Sequence, residues 1–174
     1  MVSLRISDNA VRITHSVLFG ITLLISIIAL GFSGSLVGHY NSDGYPKEHT
    51  GAYRDRIRIL LVASVWTTAF AIILVIGFQL LGRHRAFGLL SHLVTITIGF
   101  ILFLVGSASL TALTDKISCG VKSQGFSRCN IVKGLVVISW IDTIFLLLCL
   151  IFLIVLTLAD RGAYGVHRRT LYVE

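Results

Sequence analysis

Residues 135–159 read LVVISWIDTIFLLLCLIFLIVLTLA, and this run decides the fold. Its 25 residues hold one formal charge, Asp142, and a helix needs only about 20 predominantly apolar residues to cross the ~30 Å hydrocarbon core of a bilayer. Three further runs, Ile13 to Val37, Ile59 to Gly82 and Ala86 to Leu113, hold 25, 24 and 28 residues and no formal charge. Each is long enough to span with some tilt. In lipid every backbone amide must be paired internally, which leaves helices or a closed barrel. Continuous Leu, Ile and Val runs lack the alternation of barrel strands. The expected fold is therefore all-α: a polytopic four-helix transmembrane bundle with both termini on the same side.

At 174 residues, 55% hydrophobic, 13% charged and a mean hydropathy of +0.89, the chain has no room for a second, soluble domain, and residues 1–174 read as one unit. The first run follows Arg5, Asp8 and Arg12 but exceeds the roughly 7–15 residue apolar core of a signal peptide. It reads as a retained helix. Arg83, His84 and Arg85 form nearly all of the second connection, which makes helices two and three antiparallel neighbours.

Positive charge does not orient the chain. The termini and the Arg83–Arg85 turn carry seven Lys and Arg and the opposite loops carry eight, so the positive-inside comparison is balanced. Cysteine separates the sides. Cys119 and Cys129 flank a short polar segment containing Gly120, Gly125 and Ser127. A disulfide-closed hairpin fits that spacing and needs an oxidising, extracytoplasmic side, which leaves the termini cytoplasmic. The alternative is two reduced cysteines in a cytoplasmic loop. Cys149 lies within the fourth helix, where a small thiol packs as an apolar group.

Ser7-Asp8-Asn9-Ala10-Val11-Arg12-Ile13 leads directly into the first helix, Ser118-Cys119 and Arg128-Cys129 bracket the last loop, and aromatic residues near Trp140 follow in the fourth helix. In these features the chain resembles the fungal MARVEL-domain proteins and, within them, the non-classical export protein family, from about Asp8 to Ala159. The middle helices carry none of the resemblance. It implies a non-enzymatic role in organising lateral domains of the plasma membrane of the eisosome kind. Residue by residue, only Asp8, Asn9, Arg12, Cys119 and Cys129 carry over, in topological and structural roles. Membrane lipids (sterol, sphingolipid or anionic lipid) and further copies of the chain are the expected partners.

Asp142 is the costliest residue, since a carboxylate at the centre of a spanning helix costs ~2.5–3.5 kcal/mol on insertion scales and by default marks a function. It reads either as part of an ion or proton relay, with His92 as the other intramembrane ionisable group, or as a carboxyl hydrogen-bonded within the bundle to Ser64, Thr67, Thr68 or Trp140. The second reading is preferred, because a transport path needs a chain of such groups and only His92 and Gln79 stand out. Direct pairing of His92 with Asp142 is not expected, as His92 lies nearer the cytoplasmic face.

Gly31, Gly34 and Gly38 punctuate the end of the first helix, and Gly34-x-x-x-Gly38 has the small-residue spacing that lets helices approach closely. The glycines read as an oligomer seam or as packing within the bundle. Ser107 and Ser109, beside Gly106, pose the same choice, with in-bundle packing preferred. Arg54, Arg56 and Arg58 alternate before the second helix as an anchor at the headgroups. Together with Arg161, Arg168 and Arg169 they are candidates for gripping anionic lipid, at about 1 kcal/mol each near a charged surface. The net charge of +7 is explained by such interfacial arginines, and no nucleic acid is implied. No zinc motif, phosphate loop or nucleophile arrangement occurs, and His39 with His49 makes only a weak metal pair. No enzyme, cofactor or metal is expected. The competing classes are a small channel or transporter centred on Asp142 and His92, and an accessory subunit for export of a partner.

Overall fold

The structure is a computed structural model that describes residues 8–45, 50–81, 89–115, 119 and 128–161. Four α-helices make up almost all of this: α1 (Asp8–Asp43), α2 (Thr50–Leu81), α3 (Leu89–Thr114) and α4 (Cys129–Arg161). Within them, Ile13–Asp43, Gly51–Leu74, Leu90–Thr114 and Cys129–Leu158 are long and apolar enough to cross a membrane. The chain is a multi-pass, all-α membrane bundle.

α1, α2 and α4 each run several residues beyond the apolar stretches. Apolar content marks the part of a helix that lipid can cover, whereas the helix itself ends only where its amides find other partners. At the end of α1, Gly44 adopts φ 86° and its N–H donates to Tyr40 O at 3.1 Å, the left-handed stop that glycine takes at no steric cost. At the start of α4, Arg128 occupies the same region with φ 62°, and its carbonyl accepts from Ile131 N (2.9 Å) and Val132 N (3.2 Å). The connection 82–88 with Arg83, His84 and Arg85 lies outside the described residues.

The helices form a ring in which each packs on two neighbours, α1 on α2, α2 on α3, α3 on α4 and α4 back on α1. Ser26 lies beside Asp142, Thr22 beside Cys149 and Ser35 beside Arg128, a descending register that makes α1 and α4 antiparallel. α2 and α3 are antiparallel likewise, because Tyr53 Oη donates to Leu113 O at 3.3 Å while Trp66 Nε1 donates to Thr95 O at 3.3 Å. The core is made by Phe19, Leu36, Ile57, Leu60, Phe103, Leu110, Leu135, Leu146 and Leu153, all fully buried. Large apolar side chains also cover the outside, from Leu24 and Val62 to Ile101 and Leu158. That surface suits lipid rather than water.

Candidate functional site

The interior is not uniformly apolar. The buried face of α1 reads His15, Phe19, Thr22, Ser26, Ala29, Ser33, Leu36 and Tyr40, spaced at three and four residues as one helix face requires. Five of those eight carry a polar group. Facing them are Ser139, Asp142, Thr143 and Cys149 of α4, Ser64, Thr67 and Thr68 of α2, and His92, Thr95 and Ser107 of α3, all buried.

Asp142 is fully buried near the middle of its span, where its Oδ2 accepts from Ser26 Oγ at 2.7 Å. The partner comes from α1, not from the expected Ser64, Thr67, Thr68 or Trp140. Ser64 instead donates to Leu60 O at 2.7 Å, and Trp140 Nε1 donates to Thr111 Oγ1 at 3.0 Å. The reason is the ring order, which places α1 beside α4 and leaves α2 diagonal to it. One turn along α4, Ser139 presents its hydroxyl on the same face. Among the described residues, Asp142 Oδ1, Ser139 Oγ, Thr67 Oγ1 and Thr68 Oγ1 are buried and have no hydrogen-bond partner. Two turns the other way, Cys149 Sγ lies 3.6 Å from Thr22 Oγ1.

His92 does not approach Asp142. It sits at the far end of the bundle in an edge contact with His15, ring centroids 5.5 Å apart, and with Phe19 at 5.9 Å. His15 in turn stacks on Phe19 at 4.2 Å. The eleven residues from His15 to Ser26 put this imidazole cluster about 16 Å of helix rise from the carboxyl. His15 was not singled out in the sequence, because a histidine three residues into an apolar run reads as an interfacial residue.

The glycines divide into two sets. A Cβ added at Gly31, Gly34 or Gly38 would meet nothing within 4 Å, so these glycines do not mark a close helix approach within the bundle, although the opposite face of the same stretch, with Ser33, Leu36 and Tyr40, is buried. A Cβ at Gly106 would lie 2.6 Å from Leu60 Cδ2, and one at Gly99 would lie 3.0 Å from Thr67 Oγ1 and 3.9 Å from Leu146 Cδ2. The close helix approach is therefore between α2 and α3, with Ser107 and Ser109 turned back onto Leu104 O (3.2 Å) and Gly106 O (3.1 Å).

The arginine belt lies within α2 rather than before it. Arg54, Arg56 and Arg58 lie in the first turns of α2, where a 100° step per residue puts Arg54 and Arg58 on one exposed face and Arg56 on another. Arg54 Nε pairs with Asp55 at 3.4 Å, a contact open to solvent. Arg168 and Arg169, the side chain of Arg161, and His49 lie outside the described residues, and His39 pairs with Asp43 at 2.8 Å. Cys119 and Cys129 are joined as a disulfide with a Cα–Cα distance of 5.6 Å, and Cys149 is a buried free thiol. Among the described residues no group of three His, Cys, Asp or Glu is placed to hold a metal ion.

Fold and site together define a multi-pass four-helix membrane protein with a disulfide-closed connection and a polar interior. Comparison with family models, with characterised proteins and with solved structures gave no match.

Proposed function

We propose that this protein is a non-enzymatic organiser of lateral plasma-membrane domains, MARVEL-like in the eisosome sense, acting through lipid contact and self-association. The observation that carries the reading is the outward Gly31, Gly34 and Gly38 surface of α1, beside which no side chain of the bundle stands. A small-residue stripe of this spacing lets a second helix come close in lipid, where packing rather than hydrophobic burial drives association. The lipid-facing shell is otherwise apolar on all four helices, which suits contact with sterol or sphingolipid, while Arg54 and Arg58 suit anionic headgroups. The Cys119–Cys129 disulfide favours an oxidising side for the α3–α4 connection and cytoplasmic termini.

Native mass spectrometry from mild detergent or native nanodiscs tests this. A discrete oligomer that retains particular lipids and is reduced to monomer by Gly34→Leu is the expected result. A lipid-indifferent monomer would overturn it.

A further inference from the structure

The polar seam has no part in an organiser that works through its outer surface. In lipid, each unsatisfied buried polar group costs several kcal/mol. Thr22 and Ser33 avoid that cost by donating to Leu18 O and Ala29 O of their own helix, whereas Asp142 Oδ1, Ser139 Oγ and Thr67 Oγ1 have no partner among the described residues. The apolar alternatives Leu, Val and Ala are used freely elsewhere in the same core. Yet polar groups recur on the buried face of α1 no more than seven residues apart, from His15 through Thr22, Ser26 and Ser33 to Tyr40. That interval is about 10 Å of rise, and residues of the facing helices fall within it. Thr22 meets Cys149, Ser26 meets Asp142, and Ser139 stands one turn from Asp142. Thr67 belongs to the next layer, since the space beside Gly99 is shared by Thr67 and Leu146, one turn from Asp142 on α4. A chain of such groups is what distinguishes a transport path from an isolated buried carboxyl.

We propose that this seam is a proton path across the membrane, with Asp142 as its central proton-binding group. Asp142 Oδ2 is held by Ser26, which fixes the carboxyl, while Oδ1 and the Ser139 hydroxyl both lie buried with open hydrogen-bonding capacity among the described residues. Internal water is the natural bridge between such oxygens, as it requires two to four polar partners. A proton reaching Oδ1 forms its O–H bond and leaves by breaking that bond towards the next oxygen. Each hydroxyl on the way accepts one proton and releases another, so no electron moves and no co-reactant is consumed. His15 and His92 form the station at one end of the bundle, and the fully buried ring of Tyr53 with Tyr40 marks the other. Among the described residues no Lys, Arg, His or second carboxylate of α1, α2 or α3 pairs with Asp142. The groups around it are Ser26 on α1 and, on its own helix, Ser139 one turn away and Cys149 two turns away.

The test is proton influx into liposomes holding the full chain and an internal pH dye, driven by a potassium diffusion potential set with valinomycin. Influx above that of protein-free vesicles is expected, falling to the protein-free rate in Asp142→Asn and persisting in Asp142→Glu. Wild-type influx equal to protein-free vesicles would overturn the proposal, as would full influx in an Asp142→Asn protein of unchanged helicity. Should Asp142→Asn fail to fold, Ser139→Ala decides, because it removes a hydroxyl with no partner among the described residues. Lowered influx in Ser139→Ala supports the path and unchanged influx overturns it. Lipid retention and oligomeric state are read separately, so the organiser reading stands or falls on its own.

Discussion

At Asp142 a single hydrogen bond from Ser26 stands between a fixed carboxyl and one with both oxygens unmet in the middle of the bundle. Ser26→Ala should lower stability by about 1–3 kcal/mol, since the buried acceptor keeps its desolvation cost and loses its donor. Removing both groups together, in Ser26→Ala with Asp142→Leu, should cost less than the sum of the single changes, by roughly 0.5–3 kcal/mol of coupling. Unfolding midpoints in detergent titrated with dodecyl sulfate measure both. Glycine offers a parallel contrast. Gly106→Ala drives a methyl into Leu60, which is itself fully buried and closely packed, and overpacking of this kind costs about 1–3 kcal/mol. Gly34→Ala meets nothing and should leave the same midpoint undiminished. Asp142 was legible from the sequence as an anomaly, because a carboxyl in an apolar run needs no alignment to be noticed. Ser26 was not, since a lone serine in a membrane helix satisfies itself on its own i−4 carbonyl, as Ser33 and Ser64 do here.

Between elements, the α3–α4 connection is closed by Cys119–Cys129 across ten residues of sequence. A loop of that size withdraws roughly 2–3 kcal/mol of entropy-derived stability when opened, on the chain-entropy account. Cys119→Ser should therefore lower the unfolding midpoint, and non-reducing alkylation of the native protein should leave Cys149 unmodified until denaturant is added. Mass shifts corresponding to one thiol after unfolding, and none before, are the expected readout; three would exclude the disulfide. The pairing was readable from spacing alone, because only two cysteines lie in that polar segment. The arginines expected just before the second helix lie within α2, because the apolar run begins at Ile59 while the helix begins at Thr50. Helical geometry then separates Arg56 from Arg54 and Arg58. Charge reversal at Arg54 and Arg58 together should weaken binding to anionic vesicles at low salt more than reversal at Arg56, as flotation assays would register.

For the molecule as a whole, the sequence by itself determined the number of spans and the all-α class, and named the one pair of cysteines that a loop disulfide would join. These depend on local properties: a spanning helix pairs its amides within itself, so length and apolar content suffice, and two cysteines in one short loop have no third competitor. What only the tertiary structure decided is which face of each helix turns inward. In a water-soluble bundle the apolar stripe announces that face, but here lipid and core are equally apolar. Leu24 and Leu36 or Ile101 and Leu110 are indistinguishable in sequence, although the first of each pair faces out and the second is buried. The inward faces, and with them the ring order that sets Ser26 on Asp142, His15 on His92 and Gly34 towards the outside, follow from how four such helices pack against one another.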